Sequence, residues 1–136
     1  MDVEVLIKTI IDCAYEVRKH LQQGFDEKVY KNALYLEMTS RGLSVETEVP
    51  FEVKYKDMVV GQYRTDIIVE KSVILELKAN NALCTANEVQ LVNYLTALGI
   101  DCGLLINFGA EKLELKRKYR MFKPLPSKNM SLCHSV

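Results

Sequence analysis

Residues 63–78 constrain this chain more than any other segment. They read Tyr63-Arg64-Thr65-Asp66-Ile67-Ile68-Val69-Glu70-Lys71-Ser72-Val73-Ile74-Leu75-Glu76-Leu77-Lys78. Two runs of β-branched and aliphatic residues flank the polar Glu70-Lys71-Ser72 break, the pattern of antiparallel strands joined by a short loop. A hairpin centred on Lys71 sets Asp66 opposite Glu76 and Arg64 opposite Lys78. It also puts Asp66, Glu76 and Lys78 on one face. Directly opposed residues have Cβ atoms about 4.5–5.5 Å apart. Two carboxylates that close repel, whereas a divalent cation wants several oxygens in one place. As plain structure, the three charges would be the solvated face of a half-buried hairpin. Ile68 and Ile74 alternate with them, however, and a solvated face is usually polar throughout. The register carries the reading, because a slip of one residue sends Asp66 to the other side.

At 136 residues the chain is long enough for one domain with a true core, and 49% hydrophobic with 26% charged residues is ordinary for a soluble globular protein. A single domain over residues 1–123 and a loose tail over 124–136, begun by Pro124 and Pro126, are expected. No apolar run approaches the roughly 18 residues that span a bilayer, and Met1-Asp2-Val3-Glu4 does not open a signal peptide. Cys13, Cys84, Cys102 and Cys133 form no CxxC pair, and His20 and His134 read as surface residues. Reduced thiols in a cytoplasmic protein follow, with no zinc site and no disulfide framework.

Formal net charge is zero, but its distribution is uneven. Residues 111–128 hold seven Lys or Arg (Lys112, Lys116, Arg117, Lys118, Arg120, Lys123 and Lys128) against Glu111 and Glu114. A basic segment beside an acidic metal centre suits a polyanion, and taken alone it reads equally as a solubilising tail.

Periodicity predicts a helix over about 2–21, with Leu6, Ile10, Cys13, Val17 and Leu21 on one stripe. A second covers about 25–40, offering Tyr30, Ala33, Leu34, Leu36 and Met38 for packing. Strands are predicted at about 44–55 and 59–69 around a Lys56-Asp57-Met58 turn, then at 73–79. A third helix spans about 85–98 and ends at Gly99. Residues 101–108 read as a strand buried on both faces, and 112–122 as an edge strand. A strand, a helical crossover and another strand imply a parallel pairing. The fold class is therefore α/β, more exactly mixed α+β: a mixed sheet flanked by helices in the order α-α-β-β-β-α-β(-β).

This order, joined to Asp66 and Glu76-Leu77-Lys78, resembles the PD-(D/E)XK nuclease superfamily and its restriction-endonuclease-like fold. More narrowly, Gly24-Phe25-Asp26-Glu27-Lys28-Val29-Tyr30 is similar to the GxxExxY motif of a bacterial and archaeal family placed there. The likeness continues through residues 63–66, 74–79, 88–95 and 103–108, covering roughly 5 to 122. It implies a Mg²⁺-dependent nuclease, with Mn²⁺ a possible substitute, hydrolysing phosphodiester bonds of DNA or RNA. Asp66 and Glu76 would hold the ion with the Leu77 carbonyl, and Glu27 would complete its shell. Lys78 would orient the attacking water, while Gln90 and Tyr94 would add the third helix's polar contribution. Thr65 stands where the superfamily's name places proline, and Asn87 where many relatives have histidine.

Two carboxylates suffice for a minimal Mg²⁺ site, since that ion keeps several waters. A lysine ammonium is a poor general base near neutrality, which favours electrostatic positioning by Lys78 over proton abstraction. Tyr30, Arg64, Tyr94, Lys116 and Arg117 are the candidate substrate contacts. Each accessory residue also has a structural reading: Glu27 as a first-turn helix acid, Tyr30 and Tyr94 as packing, Arg64 as a partner of Glu76. Gln90 resists this, because a buried amide needs partners. The alternative function is an inactive nuclease-fold module that binds or scaffolds within a complex, or a small homodimer that works only there. No membrane role is expected.

Overall fold

The computed structural model describes residues 1–121; the expected tail lies outside them, as do Lys123, Lys128, Cys133 and His134. Helix α1 (Val3–His20) starts where the Asp2 side chain accepts the Glu4 N–H, and α2 (Glu27–Ser40) follows after Asp26. Strands β1 (Val45–Tyr55), β2 (Met58–Val69) and β3 (Val73–Lys78) precede α3 (Thr85–Leu98), β4 (Cys102–Asn107) and β5 (Glu114–Tyr119). The five strands form one sheet in sequence order. Only β3 and β4 run parallel, joined across α3, so the fold class expected from the sequence is observed. No helix among the described residues is long and apolar enough to cross a membrane.

Both hairpin turns place consecutive non-glycine residues at positive φ: Lys56 and Asp57 between β1 and β2, Glu70 and Lys71 between β2 and β3. This left-handed pair matches the strands' own twist. Met58, expected in the turn, therefore already pairs with Tyr55. Gly42 and Gly99 supply the positive φ that ends α2 and α3.

Alternation along the strands splits the core into two layers. Leu6, Ile10, Tyr30, Leu34 and Met38 of α1 and α2 pack on Ile67, Val69, Val73, Leu75 and Leu77. Leu91 and Leu95 of α3 pack on Ile68, Ile74 and Leu105 from the opposite side. Gly103 permits this second layer, because a side chain there would meet the Ile74 carbonyl at 2.6 Å and the Leu91 side chain at 3.2 Å. Every residue of β4 is buried, as its continuous hydrophobicity predicts. Leu36, expected to pack, is instead exposed. A helix presents one stripe to its sheet, and Tyr30, Leu34 and Met38 at four-residue spacing already occupy it.

Candidate active site

The hairpin register is the one read from the sequence: Ile67 opposes Leu75 and Ile68 opposes Ile74. Regular pairing between β2 and β3 stops there, one residue short of Asp66 and Glu76. Side chains take over the ladder beyond that point. Glu76 Oε2 accepts the Asp66 N–H at 2.9 Å, and Asp66 Oδ2 accepts the Leu77 N–H at 2.9 Å. Each acid thus bonds to the backbone of the strand facing it. Thr65 Oγ1, fully buried, donates to the same Glu76 oxygen at 2.6 Å.

Face alternation inverts at this seam. Before it, Val45 and Thr47 oppose Val69 and Ile67, and the apolar members lie in the α1/α2 layer. Beyond it, with the register unshifted, Val49 opposes Thr65 and Phe51 opposes Tyr63. Val49 packs in the α3 layer, and Phe51 and Tyr63 both meet the Tyr94 ring of α3. The kink falls at Glu48, whose φ is +52°, across from Asp66. Strict alternation therefore fails beyond Asp66. Arg64 does not share a face with Lys78 as expected, and it makes no ion pair with Glu76. It lies exposed on β2, near enough to Glu48 for its charge to be felt.

Electrostatics mark the seam as strained. Burial first, and then the neighbouring Asp66 charge, push the Glu76 carboxyl up to about 7. The hydrogen bonds from Thr65 and Asp66 and the Lys78 ammonium oppose this. Asp66 is also raised, chiefly by desolvation, against the pull of the Leu77 N–H, Lys31 and Lys78. Glu27 carries exposed surface, yet partial desolvation of its carboxyl raises it first, followed by the Asp66 charge, against the pull of Lys78 and Lys31.

The remaining expected residues divide. Tyr94 lies close enough to Glu76 and Asp66 for their charges to add to the desolvation that raises its phenol, and Gln90 Nε2 donates to its hydroxyl at 3.1 Å. Tyr30, a candidate substrate contact, is placed in the core. It is fully buried, stacks on Phe108 with centroids 4.8 Å apart, and its hydroxyl bonds Gln22 and Phe25. Lys116 and Arg117 sit on β5, two strands from Glu76. Arg117 is committed to a two-pronged bond with Glu4 at 2.8 and 2.6 Å, on the α1 side of the sheet.

Thr65, Lys31 and Glu48 were not expected in the site. Lys31 follows Glu27 by one helical turn, a legible spacing. It pairs with Glu48 and contributes to the field at Asp66. Glu48 carried no signal, because its place depends on the kink.

Among the described residues, no group of three or more His, Cys, Asp or Glu is arranged to hold a metal ion. The donors present nonetheless fit one that keeps most of its shell as water. Asp66 and Glu76 each tie up one oxygen, and Asp66 Oδ1 and Glu76 Oε1 take no hydrogen bond among the described residues. A strand residue's N–H and C=O face the same neighbour, so the Leu77 carbonyl is directed to the same seam.

This fold, with its acid pair at the end of a strand hairpin and a lysine two residues on, defines a nuclease-type domain. The chain belongs to the PD-(D/E)XK nuclease superfamily, whose sequence model matches residues 4–118. No curated protein matches it. It is similar to the crystal structure of SSO0001 at 20% identity and a TM-score of 0.58, over 70% of this chain. The chain spans half the length of that protein, and at this identity the likeness concerns the fold.

Proposed function

We propose that the chain is a Mg²⁺-dependent nuclease domain of the GxxExxY type that hydrolyses phosphodiester bonds. The observation that carries this reading is the reciprocal bonding of Asp66 and Glu76 across the seam. It leaves one oxygen of each acid unengaged in a place where both carboxyls resist ionising. A cation relieves that cost. Asp66, Glu76 and the Leu77 carbonyl would hold it, and Glu27, whose carboxyl feels the Asp66 charge, would complete the shell. When bound, such an ion lowers the pKa of its water and neutralises charge developing on the phosphate.

The chain's own residues do the rest. Thr65 and the Asp66 N–H both hold the same oxygen of the Glu76 carboxylate, which fixes the group and leaves its other oxygen available to a cation. Lys78, two residues on from Glu76 along β3, offers an ammonium against the negative charge of the attacked phosphate. Gln90 orients the Tyr94 hydroxyl beside the acids, where it can bond a phosphate oxygen or a water.

A second reading is a nuclease-fold module that binds without turnover. Cleavage of labelled single- and double-stranded DNA and RNA in Mg²⁺ or Mn²⁺ separates the two. Hydrolysis that Asp66→Ala and Lys78→Ala each reduce by at least about a hundredfold supports the nuclease. Equal hydrolysis by both variants removes this site, and hydrolysis by none leaves the binding module.

A further inference from the structure

We propose that Phe51, Tyr63 and Tyr94 form a stacking platform for an unpaired base of a nucleic-acid strand, beside the acid seam. The proposal deepens the nuclease reading and rests on it for the class of ligand. The three rings come from β1, β2 and α3. Phe51 and Tyr63 stack with centroids 5.9 Å apart, Tyr94 meets Phe51 edge-on at 4.9 Å, and Tyr63 lies 5.8 Å from Tyr94. Tyr63 retains 48% of its surface in solvent, although it belongs to this cluster. Gly61 helps to make that arrangement, since a Cβ there would stand 2.9 Å from the Tyr63 ring. The inversion at Glu48 and Asp66 is what turns Phe51 and Tyr63 toward α3 at all. One kink therefore sets both the acids and the rings.

Two of the rings, Tyr63 and Tyr94, line a groove of about 1120 Å³ between the β1–β2 arm and α3. Its lining includes Tyr63, Tyr94, Gln90, Asn93, Val60 and Lys54. Amides and aromatic faces with few cations suit a base more than a run of phosphates. Stacking accepts any base, because each has a π-face, and amides can bond its edges. In a duplex those faces are already stacked on neighbouring pairs and are closed to a protein ring. Tyr94 links the groove to the acid seam, since it lines the groove and its hydroxyl feels the charges of Glu76 and Asp66. A base on the rings would therefore bring its own phosphate toward Asp66 and Glu76.

Short DNA and RNA strands carrying 2-aminopurine, single-stranded or annealed, test this when titrated with the protein in EDTA to prevent turnover. Single strands of at least one sugar type are expected to bind tighter than their duplexes, with 2-aminopurine quenched on binding. The DNA and RNA arms report which sugar is accepted. Tyr63→Ala is expected to weaken single-strand binding about tenfold and abolish the quench, with duplex binding within about twofold. Tyr63→Phe, which keeps the ring, should behave as wild type. Unchanged single-strand binding by Tyr63→Ala, equal loss for strand and duplex, or no binding of any nucleic acid would overturn the platform. Tyr63-dependent binding without cleavage in Mg²⁺ would sink the nuclease reading alone.

Discussion

Glu76 draws a hydrogen bond at 2.9 Å from the backbone of Asp66, the residue directly across its hairpin. Asp66 answers by accepting from Leu77 at the same distance. Two acids that repel through space are thus held together by the backbone between them. That tension gives the site measurable consequences.

The first concerns pH. Glu76 titrates at about 7 in the fold against an ordinary 4.5. Between those values the native chain keeps a proton that the unfolded chain has lost, so the stability tied to this group falls as pH rises. In EDTA, Tm should drop by several degrees between about pH 5 and 8. Glu76→Gln should flatten that drop, leaving the smaller part due to Asp66, which is raised in the same direction. Differential scanning calorimetry checks it; parallel pH profiles for the two proteins would contradict it.

Thr65 marks the second. Its hydroxyl is buried and donates to Glu76 at 2.6 Å. Thr65→Val keeps the volume but leaves the carboxylate short of a partner, a loss of about 1–3 kcal/mol read by urea denaturation. Glu76 should then titrate still higher, moving the acid limb of the cleavage profile upward. An unchanged midpoint and an unchanged limb would show that the hydroxyl is idle.

Tyr30 gives the third, by separating core from site. Tyr30→Phe keeps the stack on Phe108 but removes the hydroxyl that ties Gln22 and Phe25 at the entrance to α2. Stability should fall by about 1–2 kcal/mol. Cleavage by the folded protein should stay within about twofold of wild type. A large fall in rate with stability intact would return Tyr30 to the substrate.

Much of this was legible in the residues. Helices α1 and α3 and the buried β4 follow from hydrophobic period, and the β2–β3 register from the polar break at Glu70-Lys71-Ser72. Three features were not legible, each for a physical reason. Parity counting assumes that alternation persists, and the +52° φ at Glu48 breaks it, which displaced Arg64 from the side of Lys78. Tyr30 reads first as core packing, but a sequence does not show whether its hydroxyl faces substrate, and full burial places it in the core. Clustered cations suggest a polyanion, yet Arg117 spends its charge on Glu4, a partner far off in sequence.

Metal binding is the direct test of the seam. Isothermal titration of the chain with Mn²⁺ near pH 6.5, where Glu76 is still mostly protonated in the free chain, should show one ion bound, with protons released as Glu76 ionises. Asp66→Asn and Glu76→Gln should each abolish that heat or weaken binding at least about tenfold. Equal Mn²⁺ binding by wild type and both variants would contradict the account.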